Sequence, residues 1–296
     1  MNRRGLVTIV AIFGGLFLLF FGFSVVMLTY TGEQPLGSGD NSVGVVEVSG
    51  TIMASKETVA DIRKMAKDDS IKAMVIRIDS PGGAVAPSQE IFDAVRKAKE
   101  EKPLVASMGS TAASGGYYIA VGADKIYANA GTITGSIGVI TQQFNASELL
   151  EFLELDVNTI TTGPYKDAGS PFKEMTEQDR VYFRQLIDDI YEQFIEDVAS
   201  GRDMELEAVR ELADGRVYTG RQAVANKLVD ELGTLQDAVD DVAKQAKIDG
   251  DVRVVYPPKE ASSVLSSLLQ GSIRGVAAGV EAELDPPAVQ YRLRGF

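Results

Sequence analysis

Two glycine-rich turns in the sequence could hold a nucleophile next to free backbone amides. The first covers residues 79–83, and the second covers residues 110–118 and contains Ser114 followed by two glycines. Each directly follows a short apolar run typical of a buried strand, and parallel sheets bind ligands at the carboxyl ends of such strands. Glycine lets the backbone approach a ligand closely. A serine that begins a helix beside such amides has the geometry for acyl transfer, with Ser114 as the nucleophile.

The amino-acid composition restricts the base that could activate this serine. The chain of 296 residues has no histidine and no cysteine, which excludes disulfides, thiolate nucleophiles and every Ser-His-Asp or Cys-His arrangement. No EF-hand loop, Walker A sequence or acidic cluster with ligand spacing occurs, so we expect no metal and no cofactor. The net charge of −13 argues against a nucleic acid partner, because phosphate contacts need clustered lysine and arginine. The base must be a lysine, a carboxylate, a tyrosine or a terminal amine.

Lys166 differs from the other lysines in its surroundings. Lysines such as Lys64 and Lys97 lie in charged helical stretches that are typical of solvated faces, whereas Lys166 lies in a loop of small, apolar and turn residues. A lysine can act as a base near neutral pH only if burial lowers its pKa from the usual value of about 10.4. From the residues alone, an exposed Lys166 paired with Asp167 is the alternative interpretation.

Hydrophobic periodicity predicts the elements that would position these residues. Apolar runs bounded by turn residues predict strands at residues 43–48, 73–78, 104–108 and 157–161. Helical spacing predicts helices at residues 58–67, 91–99 and 177–199. Strands that alternate with helices predict the α/β class, with a mainly parallel sheet and right-handed crossovers.

The N-terminal region contains a candidate membrane span. Residues 5–32 carry no charged side chain and are mostly Leu, Phe, Ile and Val, long enough at 1.5 Å per residue to cross a hydrocarbon core of about 30 Å. The run is too long for a cleaved signal peptide and lacks a clear cleavage site, so we predict an uncleaved signal-anchor. Arg3 and Arg4 precede it and acidic residues follow it, which predicts a cytoplasmic N-terminus and an extracytoplasmic remainder at the cell membrane.

These features divide the chain into four predicted regions. Residues 1–33 form a cytoplasmic tip and transmembrane signal-anchor, 34–42 a flexible linker, 43–250 the catalytic domain, and 251–296 a C-terminal tail. An apolar stripe at helical spacing, from Val264 to Val280, predicts an amphipathic helix in the tail. That helix would pack on the core or on a neighbouring subunit, with contact to a membrane surface as an alternative.

Five sequence blocks taken together are far more specific than either turn. They are Ser-Pro-Gly-Gly at 80–83, Ala-Ala-Ser-Gly-Gly-Tyr-Tyr at 112–118, Thr-Gly-Ser-Ile-Gly-Val at 134–139, Gly-Pro-Tyr-Lys-Asp-Ala-Gly-Ser-Pro at 163–171 and Gly-Arg-Val-Tyr-Thr-Gly-Arg-Gln-Ala at 215–223. In kind and order these blocks resemble the signal peptide peptidase A family, peptidase family S49, in its short single-domain form. The resemblance covers about residues 43–240.

The resemblance implies a ClpP/crotonase-like fold of repeated ββα units and functional roles for residues in four of the five blocks. Ser114 would be the nucleophile and Lys166 the general base of a Ser-Lys dyad. Ser136 would orient the lysine amine, and the backbone amides of Gly83 and Gly115 would form the oxyanion hole. The family comprises membrane-anchored serine endopeptidases that degrade cleaved signal peptides and similar hydrophobic peptides, and it forms ring-like homo-oligomers. The implied partners are therefore hydrophobic peptides, the membrane and further copies of the chain.

Three other functions remain possible from the sequence. An acyl-CoA hydratase-like enzyme could share the fold, but the expected extracytoplasmic location disfavours it because coenzyme A is scarce there. A non-enzymatic membrane scaffold should have lost Ser114 or Lys166, and both are present. A Ser-Lys peptidase dedicated to a specific membrane-protein substrate would keep every motif, so the sequence leaves that alternative open.

Overall fold

The fold is taken from a computed structural model, which describes residues 41–258 and 290–292. Within these residues no helix is long and apolar enough to cross a membrane. The predicted signal-anchor at residues 5–32 and the predicted amphipathic helix of the tail lie outside the described residues.

Strands and helices alternate along the described chain. The first half contains β1 (Ser42–Ser49), α1 (Lys56–Lys67), β2 (Ile71–Ser80), β3 (Gly82–Ala84), α2 (Val85–Glu101), β4 (Leu104–Ala113), α3 (Gly115–Ala120), β5 (Lys125–Ala128) and β6 (Ile133–Gly135). The second half contains α4 (Ser147–Phe152), α5 (Glu177–Arg202), α6 (Leu206–Leu212), β7 (Val217–Thr219), α7 (Gly220–Ala225), β8 (Glu231–Leu232), α8 (Leu235–Gln245), β9 (Arg253–Val255) and β10 (Gln290–Arg292).

One sheet of eight strands organises the fold. Its main path runs β7-β6-β4-β2-β1-β9, and β5 and β8 branch from β4. All pairs in it are parallel except β6 with β7. The predicted α/β class with a mainly parallel sheet is therefore confirmed. β3 and β10 form a separate antiparallel pair.

Helices cover both faces of the sheet, which explains why its strands are continuous apolar runs. The buried side chains of α8 pack against alternate residues of β1, β2 and β4, namely Val43, Val45, Ala73, Val75 and Val105. On the opposite face α1 approaches so closely that a Cβ added at Gly44 would lie 2.8 Å from Met65 Sδ. The sheet is thus fixed from both sides, and its carboxyl-terminal edge forms a rigid support.

Most of the predicted elements are present, and two differences matter for the site. β4 continues beyond the predicted end at residue 108 to Ala113, so Ser114 directly follows the strand. The predicted strand at residues 157–161 is wrong, because no strand forms there and Ile160 is 98% exposed. β-Branched residues favour a strand only where a neighbouring strand offers cross-strand packing, and this segment lies between α4 and α5 without such a neighbour.

Candidate active site

Ser114 is held in a strained conformation between β4 and α3. Its backbone has φ 55° and ψ −118°, a region that a non-glycine residue occupies only when the surrounding structure enforces it. The residue is 1% exposed. Its Oγ has no hydrogen-bond partner among the described residues. A buried hydroxyl without a protein partner is uncommon in a folded protein, and a nucleophile is one of the groups for which it is expected.

Backbone hydrogen bonds on both sides enforce this conformation. The Ser114 amide donates to the Gly135 carbonyl at 2.8 Å, and the Ser114 carbonyl accepts from the Tyr118 amide at 2.9 Å. A Cβ added at Gly115 would lie 2.5 Å from Ser88 Oγ and 3.3 Å from the Gly82 Cα. Glycine at position 115 therefore lets the start of α3 pack directly against β3.

β3 forms the other side of the site. Gly82 has φ 97°, a conformation that favours glycine, and its amide donates to Ser80 Oγ at 3.1 Å. Ile52 bridges this strand, because its amide donates to the Gly82 carbonyl at 2.9 Å and its carbonyl accepts from the Ala84 amide at 2.7 Å. A Cβ added at Gly83 would lie 2.1 Å from the Ile52 carbonyl oxygen, so only glycine fits there.

These contacts determine where the predicted oxyanion donors point. Backbone groups of successive residues in a strand alternate between its two edges. Since Gly82 and Ala84 bond to Ile52, the N–H and C=O of Gly83 face the opposite edge. The Gly115 amide lies in the first turn of α3, where amides have no intrahelical acceptor. The structure thus places Ser114 and both predicted donors at one end of the sheet.

Ser136 lies beside Ser114 at the end of the neighbouring strand. β4 and β6 pair in parallel, with Ala113 opposite Gly135. Ser136 has φ 50°, is buried, and donates its amide to the Arg216 carbonyl at 2.8 Å. It lines a cleft of about 580 Å³ with residues that include Asp214. Hydrogen bonds from Arg216 hold the pKa of Asp214 below its usual range, so this carboxylate is charged and paired.

Lys166 does not lie at Ser114 in this arrangement. Its side chain is exposed, and its Nζ makes no hydrogen bond or ion pair with any described residue. Because Ser114 Oγ also has no partner, the two groups are not within hydrogen-bonding distance. The structure therefore brings together four of the five predicted site residues and leaves the predicted base separate.

Neighbouring side chains hold the loop that carries Lys166. Asp167 forms an ion pair with Lys173, 2.9 Å between Oδ1 and Nζ. The Tyr165 hydroxyl accepts from Gln178 Nε2 at 3.0 Å, and its ring stacks on Tyr182 with centroids 5.0 Å apart. The structure therefore pairs Asp167 with Lys173 and leaves Lys166 available.

Sequence comparison identifies the protein family to which this chain belongs. Residues 96–249 match the profile of peptidase family S49, and residues 45–134 match that of the Clp protease. A protein of Synechocystis sp. that is named as a protease is 44% identical over 207 residues, which cover 70% of this chain and 75% of that protein. The chain belongs to peptidase family S49.

Two further relatives carry more specific names. A signal peptide peptidase of Enterococcus faecium is 39% identical over 216 residues, 73% of this chain and 62% of that protein. A chloroplastic serine protease of Arabidopsis thaliana is 32% identical over 269 residues, 88% of this chain and 40% of that protein. This chain therefore spans less than two thirds of both. The predicted membership of the signal peptide peptidase A family is confirmed, and this S49 chain is a serine protease with a ClpP-like α/β fold.

Three features of the candidate site were missed from the sequence. Ile52 bridges β3, and the Asp79 carboxylate accepts from the Thr111 amide at 3.0 Å, which fixes the last part of β4. The third is β10, which pairs with β3 so that Tyr291 lies opposite Gly83. Pro286 and Pro287 would have predicted the end of a helix, and Val289 and Tyr291 favour strands, but nothing in the sequence indicates their partner.

Proposed function

We propose that this protein is a membrane-anchored serine endopeptidase that hydrolyses cleaved signal peptides and similar hydrophobic peptides with a Ser114–Lys166 dyad. The observation that carries the proposal is the Ser114 hydroxyl, which is buried, lacks a partner and is held on a strained backbone beside Gly115. A structural serine in such a place would satisfy its hydroxyl with a neighbouring carbonyl. A nucleophile is kept free for the substrate and its base.

In the proposed acylation step, the neutral amine of Lys166 accepts the Ser114 hydroxyl proton while Oγ attacks the scissile carbonyl carbon. The carbonyl oxygen becomes an oxyanion, which the Gly83 and Gly115 amides stabilise by hydrogen bonds. When the intermediate collapses, the C–N bond breaks, and the leaving amine takes the proton from the Lys166 ammonium. The product is an ester between Ser114 and the amino-terminal part of the peptide.

Water completes the cycle in the same manner. Lys166 accepts a proton from water, and the resulting hydroxide attacks the ester carbonyl. The same two amides hold the second oxyanion, and its collapse releases the carboxylic acid and returns the proton to Ser114 Oγ. No group beyond this chain's own residues and water is needed for either step.

A homo-oligomer is the proposed means by which Lys166 reaches Ser114. The segment from β6 to α5 that carries Lys166 exposes several large apolar side chains, namely Phe144, Leu149, Phe152, Leu155, Ile160 and Phe172. Monomeric proteins rarely expose such clusters, and an interface would cover them. Contact between subunits would also desolvate the lysine amine, which favours its neutral form.

The proposed substrate class and location are supported by the family and by the composition of residues 5–32. One relative is named a signal peptide peptidase, and an apolar run of this length supports a signal-anchor with the catalytic domain on the extracytoplasmic side. Residues 43–250 would then form the peptidase domain, with repeated ββα units, and residues 34–42 the linker to the membrane. This tether would keep the site close to hydrophobic peptides.

Peptide hydrolysis by point variants tests this function. The full-length chain in detergent micelles is assayed with a quenched fluorogenic peptide of signal-sequence type. Ser114→Ala and Lys166→Ala should both fall to background, while Lys64→Ala, which removes an exposed lysine of α1, should keep wild-type activity. If folded Ser114→Ala or Lys166→Ala protein hydrolyses the peptide at the wild-type rate, the dyad is wrong.

A further inference from the structure

Ser80 is a buried polar residue that the proposed chemistry does not use. It is the last residue of β2, it is fully buried, and it pairs in the sheet with Ala112 of β4. Its Oγ accepts a hydrogen bond from the Gly82 amide at 3.1 Å. A serine hydroxyl that bonds to the backbone two residues later fixes a turn. This turn leads directly into β3, the strand that carries a predicted oxyanion donor.

The peptide groups on the two sides of Gly82 are held by different partners. Ser80 accepts from the N–H of the group between Pro81 and Gly82. The Ile52 amide donates at 2.9 Å to the carbonyl of the group between Gly82 and Gly83. A peptide group is planar and trans, with its N–H and C=O pointing in opposite directions, so this bond turns the Gly83 N–H away from Ile52. The direction of the Gly83 amide therefore depends on the conformation of Gly82.

Gly82 is the point at which this turn could change its conformation. Its φ of 97° lies in a region that glycine enters at no steric cost, and glycine also leaves that region easily. Pro81 fixes its own φ but has no N–H with which to hold the turn. The Ser80 hydroxyl therefore supplies the restraint that keeps Gly82 in place from its amino-terminal side.

Ser80 also supports the helix that carries the second predicted donor. A Cβ added at Gly116 would lie 2.8 Å from the Ser80 carbonyl oxygen and 3.5 Å from Ser80 Cβ. Gly116 is the second residue of α3, and Gly115, whose amide is the other predicted donor, is the first. A single buried residue thus supports both the turn before Gly83 and the first turn of α3.

We infer that Ser80 is a positioning residue for the oxyanion hole: its hydroxyl fixes Gly82, and Gly82 aims the Gly83 amide at the oxygen that becomes charged. This inference rests on the proposed function. A donor stabilises an oxyanion best when it is aligned before the charge develops, and loss of a whole donor lowers kcat about 100- to 1,000-fold. Loss of alignment alone should cost less. The effect falls on kcat, because the uncharged carbonyl of the bound substrate gains little from the same alignment.

Alanine at position 80 tests the inference in the full-length chain. Ser80→Ala should lower kcat for the fluorogenic peptide about 10- to 100-fold, with KM unchanged. The matched control is Ser107→Ala, because Ser107 is equally buried and its Oγ also accepts one hydrogen bond, from Arg77 Nη1 at 2.9 Å. Ser107 lies two residues from Val105, on the face of the sheet that α8 covers.

The control should lose similar stability in thermal unfolding but keep the wild-type kcat. Wild-type kcat in folded Ser80→Ala, or an equal loss of kcat in Ser107→Ala, would overturn the inference.

A peptide aldehyde provides a readout that a loss of stability would not change. Ser114 Oγ adds to the aldehyde carbon, its proton passes to the Lys166 amine, and the aldehyde oxygen becomes an oxyanion held by the two amides. Ser80→Ala should weaken inhibition by the aldehyde by the same factor as kcat/KM, about 10- to 100-fold. The matching peptide alcohol cannot form this adduct and should bind both proteins equally. Equal weakening of both inhibitors would show that Ser80 acts on peptide binding and would reject the inference.

Hydrogen exchange separates this inference from the proposed function because it needs no catalysis. In the Ser114→Ala background, Ser80→Ala should accelerate exchange of the Gly82 amide at least about tenfold. The Ala84 amide, which donates to the Ile52 carbonyl at 2.7 Å, is the internal control and should exchange at an unchanged rate. Faster exchange at Gly82 in a protein whose wild type hydrolyses no peptide would confirm the turn contact and reject the proposed function. Unchanged exchange at Gly82 with an active wild type would overturn the inference alone.

Discussion

Ser114 and Ser136 directly follow two residues, Ala113 and Gly135, that are paired in the neighbouring parallel strands β4 and β6. The Ser114 amide donates a hydrogen bond to the Gly135 carbonyl and so joins the two strand ends. Both serines have positive φ, at 55° and 50°. Two strained non-glycine residues at adjacent strand ends indicate that the fold holds both hydroxyls in defined positions. This relationship is consistent with the proposed role of Ser136, which is to orient the amine of Lys166.

The role of Ser136 can be separated from its backbone conformation. Ser136→Gly and Ser136→Ala both remove the hydroxyl, but only glycine adopts a positive φ without strain. We expect kcat to fall about 10- to 100-fold in both variants, the effect of one hydrogen bond to an ionisable group, with KM unchanged. Steady-state kinetics and thermal unfolding check this expectation. Wild-type kcat in a folded Ser136→Gly variant would contradict it.

Substitution of Lys166 by arginine shows whether catalysis needs a proton acceptor or only a positive charge at this position. Arginine keeps the charge but cannot accept a proton in proteins, so Lys166→Arg should be as inactive as Lys166→Ala, about 100- to 10,000-fold below wild type. For the wild type, kcat/KM should rise from pH 6 to pH 10, because only the neutral amine accepts a proton. A flat pH profile, or an active Lys166→Arg variant, would exclude a lysine base.

Mixing two inactive variants tests whether the dyad forms between subunits. In this structure the Ser114 hydroxyl has no partner, while Lys166 is exposed and also unpaired within the described residues. If subunits supply these groups to one another, Ser114→Ala and Lys166→Ala chains that are unfolded together and refolded should recover up to about a quarter of wild-type activity. Each variant refolded alone is the control. No recovery in mixed oligomers would show that both groups come from the same chain.

The capping box of α5 makes stability depend on pH through Asp179. Hydrogen bonds from the Thr176 side chain and backbone hold the pKa of Asp179 below its usual range. The stabilisation is therefore present above the unfolded pKa of about 3.9 and is lost as the pH falls through the lower folded pKa. Thr176→Ala should lower the unfolding free energy by about 1 kcal/mol at pH 7, with a smaller difference at pH 3. Urea unfolding at both pH values measures this, and an equal difference at both would be contrary to expectation.

Gly83 should tolerate no side chain. A Cβ there would lie 2.1 Å from the Ile52 carbonyl oxygen, and that backbone atom cannot move without breaking the bridge to β3. Gly83→Ala should abolish hydrolysis and lower the unfolding free energy by about 1–3 kcal/mol. Gly131→Ala is the matched control, because nothing lies within 4 Å of an added Cβ. An active, fully stable Gly83→Ala variant would contradict the described packing.

The elements that hold Ser114 were largely predictable from the sequence, whereas contacts between distant residues were not. Apolar runs located β1, β2 and β4 because these strands are buried on both faces and their pattern is local. The same signal failed at residues 157–161, where β-branched residues are exposed and have no neighbouring strand. The glycine-rich turns also indicated that Ser114 and Gly83 lie at strand ends, whereas the roles of Gly83, Gly115 and Ser136 came only from the family resemblance and stay predictions.

Two backbone contacts of β3 were not predictable: the bridge through Ile52 and the pairing of Gly83 with Tyr291. No local sequence pattern specifies which distant segment pairs with the edge of a strand. The sequence also did not predict that Lys166 would lie apart from Ser114. The blocks that contain the two residues are each clear, but their distance depends on how the segment between β6 and α5 packs.

Covalent labelling of the activated serine tests the central claim most directly. A fluorophosphonate probe reacts with a serine only when a base activates it, and peptide mapping by mass spectrometry then locates the adduct. We predict one adduct on the full-length protein, at Ser114, and its loss in both Ser114→Ala and Lys166→Ala. An adduct at another serine, or labelling of Ser114 that persists without Lys166, would contradict the Ser114–Lys166 mechanism.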